Sequence, residues 1–318
     1  MKRMRLIVLG ILLIVLAAGC RRITLHEQGS GVFIRMSVDQ NQDLPEMVRV
    51  CFYDIVSHDL VAEDFLPSGG GFVDIQAGVY DVVIYGLGTE VTQVSGTEKR
   101  AGAYAFTDAT GVRVRPQSAQ ARDDEIYAEI GTKEQPVIFE PDHLFVGKIS
   151  GAVVPIRPDD AETVILSADL SCISESWTVE IPYIEGAERI RSAEVYITGQ
   201  ADGRFLWDGR TTGHPCAIAP ETRIDVQNGR IESAFNTFGK NPQADSDVLV
   251  MVLVTTNGGA RCLYVCNVTD QWLNPDNSTH RLLFDQTVEI PEDDYQGSGF
   301  DPVVVGWDGE DIPVIIGC

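Results

Sequence analysis

The chain has 318 residues, of which 44% are hydrophobic and 22% charged, and its formal net charge is −23. This length suits about two domains, and the apolar fraction is large enough to bury real cores. The composition therefore excludes wholesale disorder. With 24 basic against 47 acidic residues, it also argues against nucleic acid as a partner, because such a surface repels phosphate.

The N-terminus predicts export. Three basic side chains among the first five residues precede the uncharged run 6–18, which ends at a small-residue site. This pattern is typical of a secretory signal peptide over residues 1–19. The following Ala17-Ala18-Gly19-Cys20 is similar to a bacterial lipobox, although Ala17 stands where leucine is usual. We expect Cys20 to be the lipidated first residue of the mature chain; the alternative is a plain cleaved signal with an incidental cysteine.

Lipidation would fix the mature chain to a membrane through one residue. Several acyl chains such as palmitate bury enough CH₂ groups to hold a folded body at a bilayer. Residues 20–30 would then form the tether. Removal of residues 1–19 takes away three positive charges and leaves a net charge of −26. We found no second apolar stretch long enough to span a bilayer, so the sequence predicts an acidic globular body held by one end.

Short alternating segments separated by glycine, proline, asparagine and aspartate dominate the rest of the chain. They predict an all-β fold made of β-sandwiches. The run 248–254 is apolar at every position, as expected for a central strand covered on both faces. The predicted strands are Val32–Val38, Met47–Tyr53, Phe72–Ile75, Tyr80–Leu87, Ile126–Ile130, Trp177–Ile184, Ala193–Thr198, Val248–Thr256, Arg261–Val268 and Leu282–Ile290.

The loop Glu140–His143 suggests a domain boundary. We expect an N-terminal β-sandwich over 31–142 and a C-terminal β-sandwich with an edge-strand tail over 143–318. The polar stretch 91–124 has few strand signals and is predicted to be an insertion or long loop. Gly78 is predicted to occupy a turn with positive φ before a strand that begins at Tyr80.

The sequence carries no catalytic signature. Gly86-Leu87-Gly88 lacks the third glycine of a dinucleotide site, and Gly239-Lys240 lacks the earlier glycine of a P-loop. The segment 39–50 copies only the start of a calcium loop, without its glycine or terminal glutamate. The acidic pairs near the C-terminus are interpreted as a solvated surface. We therefore predict a protein that is not an enzyme, with no cofactor and no metal site.

The cysteines and tryptophans are interpreted mainly as core residues. The cysteines after Cys20 are too few for a disulfide scaffold, and we expect small buried hydrophobes, although pairing between strands stays open in an exported protein. Trp177, Trp207, Trp272 and Trp307 more often fill sandwich cores, but exposed rings also stack on sugars. Glycan binding through Trp207 or Trp272 is therefore an alternative function.

The C-terminal tail contains two short β segments, each next to a proline. Proline in sheets is confined to edges and strand starts, so the tail predicts edge strands. These strands either close their own domain or pair with another chain by β-augmentation. The candidate partner-strand residues are Val303, Val304, Val305, Trp307, Ile312, Val314, Ile315 and Ile316.

Taken together, these features resemble the Bacteroidales fimbrillin and minor-fimbria anchor-like lipoproteins, in particular a branch with acidic, tryptophan-containing tails. The resemblance rests on the Cys20 lipobox, the Gly78-Val79-Tyr80 hairpin, the second series of strands after Pro141-Asp142 and the tail around Gly306-Trp307. It extends over nearly the whole mature chain as a pattern, and Cys20 is the one functional residue that carries over.

The resemblance implies two transthyretin-like, Ig-like sandwiches in tandem at the outer membrane, lipid-anchored and exposed on the cell surface. It implies a role in anchoring, regulating or decorating a fimbrial polymer, and in cell adhesion, with fimbrial subunits as partners joined by strand addition. Acidic residues often follow the cysteine in surface-exported members. Here Arg21-Arg22 follow, which makes outward exposure a weaker expectation than membrane attachment.

Overall fold

The computed structural model describes residues 31–38, 45–114, 134–156, 162–243, 247–292, 303–305 and 311–313. These residues are organised almost entirely as strands, which confirms the predicted all-β class. Within the described ranges, the one α-helix, α1, has five residues (Thr269–Leu273), and a single 3₁₀ turn lies at Ala187–Arg189. No helix among these residues has the length and hydrophobicity needed to cross a membrane.

The strands are numbered in chain order. In the first part of the chain they are β1 Gly31–Val38, β2 Met47–Asp54, β3 Leu60–Pro67, β4 Gly71–Asp74, β5 Gly78–Gly86, β6 Gln93–Ser95, β7 Tyr104–Phe106, β8 Ala109–Val114, β9 Gln135–Ile138, β10 Phe145–Val154 and β11 Val164–Cys172. The rest are β12 Glu175–Ile181, β13 Ile184–Glu185, β14 Ile190–Ala201, β15 Gly203–Phe205, β16 Pro215–Ile218, β17 Thr222–Asp225, β18 Arg230–Thr237, β19 Leu249–Thr256, β20 Arg261–Asn267, β21 Arg281–Leu283, β22 Val288–Glu289, β23 Val303–Val305 and β24 Asp311–Pro313.

A seven-stranded sheet contains the N-terminal strands in the order β3-β2-β5-β10-β11-β1-β4. Its neighbours are antiparallel except β1 and β11, which run parallel. Alternate side chains such as Val32, Ile34 and Met36 enter one core, as the period-2 pattern predicts. Because β3 and β4 follow each other in the chain but lie at opposite edges, the sheet folds into two layers around this core.

The second core lies between an eight-stranded and a four-stranded sheet. Their strand orders are β24-β23-β20-β19-β14-β16-β9-β8 and β17-β18-β12-β21. β19 confirms the prediction of a strand covered on both faces. Val250, Val252 and Val254 face the main core, whereas Leu249 and Met251 join a smaller apolar cluster on the opposite face.

The sheets do not follow the predicted boundary between residues 142 and 143. β8 and β9 join the eight-stranded sheet, and the chain then returns so that β10 and β11 complete the seven-stranded sheet. The loop at Pro141-Asp142 therefore marks a crossing between sheets. The stretch 91–124 was also predicted incorrectly as poor in strands, since β6, β7 and β8 lie within it; the predicted strand 126–130 lies outside the described residues.

Gly78 is required by close packing and not by a turn. It is the first residue of β5, and its φ lies outside the left-handed region, contrary to the prediction. A Cβ at this position would lie 2.8 Å from the Tyr80 hydroxyl oxygen. That hydroxyl donates a hydrogen bond to the Gln76 carbonyl at 3.0 Å, which fixes the ring against the glycine.

Candidate subunit-binding edge

The structure places part of the predicted partner strand at one edge of the eight-stranded sheet. Val303, Val304 and Val305 form β23, and Ile312 lies in β24. The remaining predicted tail residues, Trp307, Val314, Ile315 and Ile316, and the predicted lipidation site Cys20, lie outside the described residues. We call the group formed by β20, β23 and β24 the tail edge.

The tail edge is built by short backbone ladders. β20 pairs antiparallel with β19 along its full length, from Arg261 to Asn267. On its other side it pairs in parallel with β23, and Cys262 lies opposite Val303. β24 then adds antiparallel to β23, with Val304 opposite Ile312. The order ends at β24, so the outermost strand of the sheet is a three-residue segment.

Part of β20 extends beyond these short strands. β23 covers Cys262, Leu263 and Tyr264. Among the described residues, no strand is paired with Val265–Asn267 on the side opposite β19. An unpaired strand side presents a row of N–H and C=O groups that another extended segment can pair with. The geometry is therefore suited to accepting or exchanging an extended strand.

Both faces beside this edge are apolar. Cys262, Tyr264 and Cys266 point into the main core, whereas Leu263 and Val265 point into the smaller cluster on the other face. Successive side chains of a strand alternate between faces, so a strand added here must carry apolar side chains on both of its own faces to match them. The uninterrupted Val303-Val304-Val305 sequence meets this requirement.

The thiols near the edge are buried, and burial disfavours their ionised form. Burial raises the pKa of Cys266 to about 11 and also raises the pKa of Cys262. A thiol with so high a pKa is neither a good nucleophile nor a ready metal ligand. The five cysteines of the described ranges are unpaired, and four of them are buried, which agrees with the core interpretation. In the same ranges, no three His, Cys, Asp or Glu side chains are grouped to hold a metal ion.

The tryptophan rings make intramolecular contacts. Trp177 is buried and stacks on Trp272 with 3.9 Å between centroids, and the His280 ring also lies against it at 4.5 Å. The guanidinium of Arg100 lies 4.3 Å from the centroid of the Trp207 ring. Trp207 and Trp272 thus each give one ring face to an internal partner, and glycan binding stays a prediction from sequence.

A buried ion pair joins the seven-stranded sheet to the rest of the molecule. Asp81 of β5 is 1% exposed and pairs with Arg100, the same guanidinium that covers Trp207. Its other carboxylate oxygen accepts hydrogen bonds of 3.0 Å from the Ser150 hydroxyl and the Gly151 N–H. Sequence reasoning missed this junction. The signal was a single aspartate in the otherwise apolar strand 79–84.

An apolar cluster surrounds the same junction. It unites side chains of β2 and β5 that point away from the first core with side chains from the later part of the chain. Its buried members are Cys51, Tyr53, Val83, Tyr85, Ala103, Ala105, Leu144, Val146, Ile173, Leu206 and Phe238. This burial ties the seven-stranded sheet to the segments that continue into the other sheets.

Comparisons with known proteins show which proteins this chain is similar to. A curated relative from Bacteroides ovatus, named "Putative fimbrium anchoring subunit Fim4B", is 26% identical over 238 residues, which are 73% of this chain. The aligned part spans 64% of that relative's length, less than two thirds of it.

Two solved structures share the fold. A Bacteroides ovatus protein described as a "putative adhesin" superposes with a TM-score of 0.61 at 19% identity, covering 83% of this chain and 93% of that one. The fimbrial anchor protein Mfa2 from Porphyromonas gingivalis gives a TM-score of 0.52 at 11% identity, covering 80% and 90%. The family model "Domain of unknown function (DUF5119)" matches residues 20–219. This chain therefore belongs to the DUF5119 family.

Proposed function

We propose that the protein is a cell-envelope lipoprotein that acts as a fimbrial anchor-like or accessory subunit and binds partner subunits by β-strand addition. The observation that carries this proposal is the tail edge. Three-residue strands end the eight-stranded sheet there, and the faces beside β20 are apolar. In strand addition, ladder hydrogen bonds supply affinity and pockets for alternate side chains supply specificity.

The relatives support the assignment to a fimbrial system. The curated relative is named as a fimbrium anchoring subunit, and one fold neighbour is a fimbrial anchor protein. By analogy we assign this chain the same type of role, with other fimbrial subunits as its partners. Val303, Val304, Val305 and Ile312 are the described residues of the proposed exchange strand, and Trp307, Val314, Ile315 and Ile316 complete it.

The anchoring half of the proposal rests on Cys20. The family match begins at residue 20, the residue that signal-peptide analysis makes the first of the mature chain. Acylation there would hold the body at the outer membrane, with its surface outside the cell. Replacement of Cys20 by alanine should abolish the acyl mass on the N-terminal peptide and release the protein from the membrane fraction. An unchanged membrane fraction would contradict the lipid anchor.

Deletion of residues 301–318 tests the partner-binding half. Tagged full-length and truncated chains are recovered from detergent-solubilised envelopes of the native host, and co-purifying proteins are identified by mass spectrometry. We expect the full chain to retain a β-rich subunit and the truncated chain to lose it, with both chains equally abundant. Equal retention by the two would make strand addition through the tail wrong.

A point variant separates the ladder from the rest of the tail. Val304→Asp places a charge at the centre of β23, between β20 and β24. Val226→Asp adds the same charge at a half-exposed valine outside the tail edge and serves as the matched control. We expect partner retention to fall for Val304→Asp alone. Loss in both variants would point to general charge effects instead of the ladder.

A further inference from the structure

The first described residue and the ends of several strands lie together at one end of the seven-stranded sheet. Gly31 at the start of β1 lies opposite Asp74 at the end of β4, and Gly78 at the start of β5 lies opposite Val154 at the end of β10. β11 starts beside β1 at this end, and β2 finishes here beside β5. The loops that extend from this end therefore project from the same side of the sandwich.

An apolar turn projects from this end. The β2–β3 turn places Ile55 and Val56 at its tip, and the Val56 side chain is 83% exposed. The turn is tightly organised, because the Asp54 carboxylate accepts hydrogen bonds from the N–H groups of Val56 at 2.9 Å and Ser57 at 2.7 Å. Turn tips are normally polar, so a fixed turn that presents two branched aliphatic side chains to the outside requires an explanation.

Further exposed aliphatic side chains lie at the same end of the seven-stranded sheet. Val79 and Val153 face each other across β5 and β10, and both are exposed. Ile156, just after β10, is 69% exposed, and Ile165 at the start of β11 is 49% exposed. Most of the exposed large aliphatic side chains of the seven-stranded sheet thus lie at one end. We call Ile55, Val56, Val79, Val153, Ile156 and Ile165 the apolar pole.

The points at which the chain leaves and re-enters the seven-stranded sheet can be compared with the position of the apolar pole. The chain passes from the seven-stranded sheet to the other sheets after β5 and after β11, and it returns just before β10. The strand ends at which the chain leaves β5 and β11 and enters β10 lie opposite the apolar pole. The connection after β5 then returns to the β2–β3 turn, where the Arg100 N–H donates to the His58 carbonyl at 3.0 Å. The strand ends from which the chain continues toward the tail edge therefore lie at the far end of the seven-stranded sheet from the apolar pole.

The tether leads to the same end. Eleven residue steps separate Cys20 from Gly31, where β1 begins at the apolar pole. A fully extended segment of that length reaches at most about 40 Å. A lipid on Cys20 would thus keep Gly31, at the apolar-pole end of β1, within that distance of the bilayer surface.

We propose that the apolar pole rests on the membrane and inserts its aliphatic side chains at the boundary between headgroups and acyl chains. This inference depends on the lipid anchor of the proposed function. The surrounding exposed charges include the carboxylates of Asp74 and Glu162, so contact is driven by apolar burial and not by attraction to anionic lipid. The docked body would stand with its tail edge directed away from the bilayer, open to partner subunits.

Depth-dependent fluorescence quenching tests the docking directly. The full lipidated chain is reconstituted into vesicles of brominated phosphatidylcholine, as Val56→Trp and as the control Val226→Trp. Val226 is a half-exposed valine in the turn between β17 and β18 of the four-stranded sheet. The native tryptophans are common to both variants. We expect bromolipid to quench the emission added by Val56→Trp and to leave the emission added by Val226→Trp unchanged.

The outcomes separate the two proposals. A chain with acyl mass on the Cys20 peptide, but without quenching of Val56→Trp, would overturn membrane docking and leave the lipid anchor intact. The apolar pole would then be a surface for a protein partner. Absence of the acyl mass would overturn the anchor itself and the docking that rests on it. Equal quenching of the two variants would overturn the proposed orientation.

Discussion

β5 and β23 are both apolar strands with a neighbour on each side, yet they are held very differently. β5 is paired with β2 from Tyr80 to Gly86 and with β10 from Gly78 to Tyr85, and its side chains fill two apolar clusters. β23 is paired over three residues on each side. The difference separates a firmly paired scaffold strand from an edge strand that is held by few ladder hydrogen bonds. The proposed strand addition requires such an edge, since a short ladder is replaced at little free-energy cost.

The largest predicted effect comes from breaking the ion pair that fixes β5. Arg100→Ala leaves the buried Asp81 carboxylate without its charged partner and uncovers the Trp207 ring. Breaking a buried pair in this way costs about 3–5 kcal/mol of unfolding free energy. Urea denaturation followed by circular dichroism measures the loss. Lys99→Ala is the matched control, because the Lys99–Asp59 pair is exposed and should contribute little.

The comparison of Arg100→Ala with Lys99→Ala tests whether the buried ion pair holds β5 more firmly than the tail edge is held. If Arg100→Ala and Lys99→Ala were equally harmless, β5 would not be fixed by its buried charge and the comparison would rest on apolar packing alone. A loss of stability for Arg100→Ala, together with an unchanged midpoint for the chain that lacks residues 301–318, would assign the stability of the fold to the scaffold and show that the tail contributes little to it.

A smaller effect is predicted at the start of β5. Gly78→Ala places a Cβ within 2.8 Å of the Tyr80 hydroxyl and 2.9 Å of its ring, so the ring must shift. Overpacking of this kind costs about 1–3 kcal/mol. Gly69→Ala is the control, because no heavy atom lies within 4 Å of the Cβ it would add. Thermal denaturation of both variants checks the prediction, and equal midpoints would show that Tyr80 adapts without cost.

The smallest effect concerns the turn that carries the apolar pole. The backbone N–H groups of Ser57 and Val56 hold the pKa of the Asp54 carboxyl below its ordinary value. A group whose pKa is lower in the folded chain adds stability above its unfolded pKa of about 3.9 and loses it as the pH falls through the folded value. The melting temperature of the unchanged protein should therefore exceed that of Asp54→Asn at neutral pH. This difference should disappear in acid, at a pH below the folded pKa of Asp54. If the difference in melting temperature did not depend on pH, the Asp54 carboxylate would not be its cause.

Sequence patterns identified many of the individual strands but not the assignment of strands to sheets. β1, β2 and β19 follow directly from alternation or from a continuous apolar run. The pairing of β10 with β5 and of β9 with β16 depends on contacts between distant parts of the chain, which no local pattern encodes. The same limit explains why the crossing at Pro141-Asp142 resembled a boundary between domains.

The candidate sites, too, were predictable from the sequence only where the signal is local. The apolar composition and the prolines of the tail predicted edge strands, and β23 and β24 lie at the edge of the eight-stranded sheet. The apolar pole was not predictable, because Ile55, Val56 and Ile156 are separated in the chain and are gathered by sheet topology. Asp81 was detectable as an isolated charge in an apolar strand, but its partner Arg100 lies in a segment that the sequence suggested was a plain loop.

The central claim is that partner subunits are bound through the tail strand. The most direct measurement is the molar ratio of co-purified partner subunit to tagged chain, compared between the full-length protein and the variant without residues 301–318. We predict a stable ratio for the full-length protein and loss of the partner from a variant that remains folded and membrane-bound. An unchanged ratio in that variant would contradict the claim.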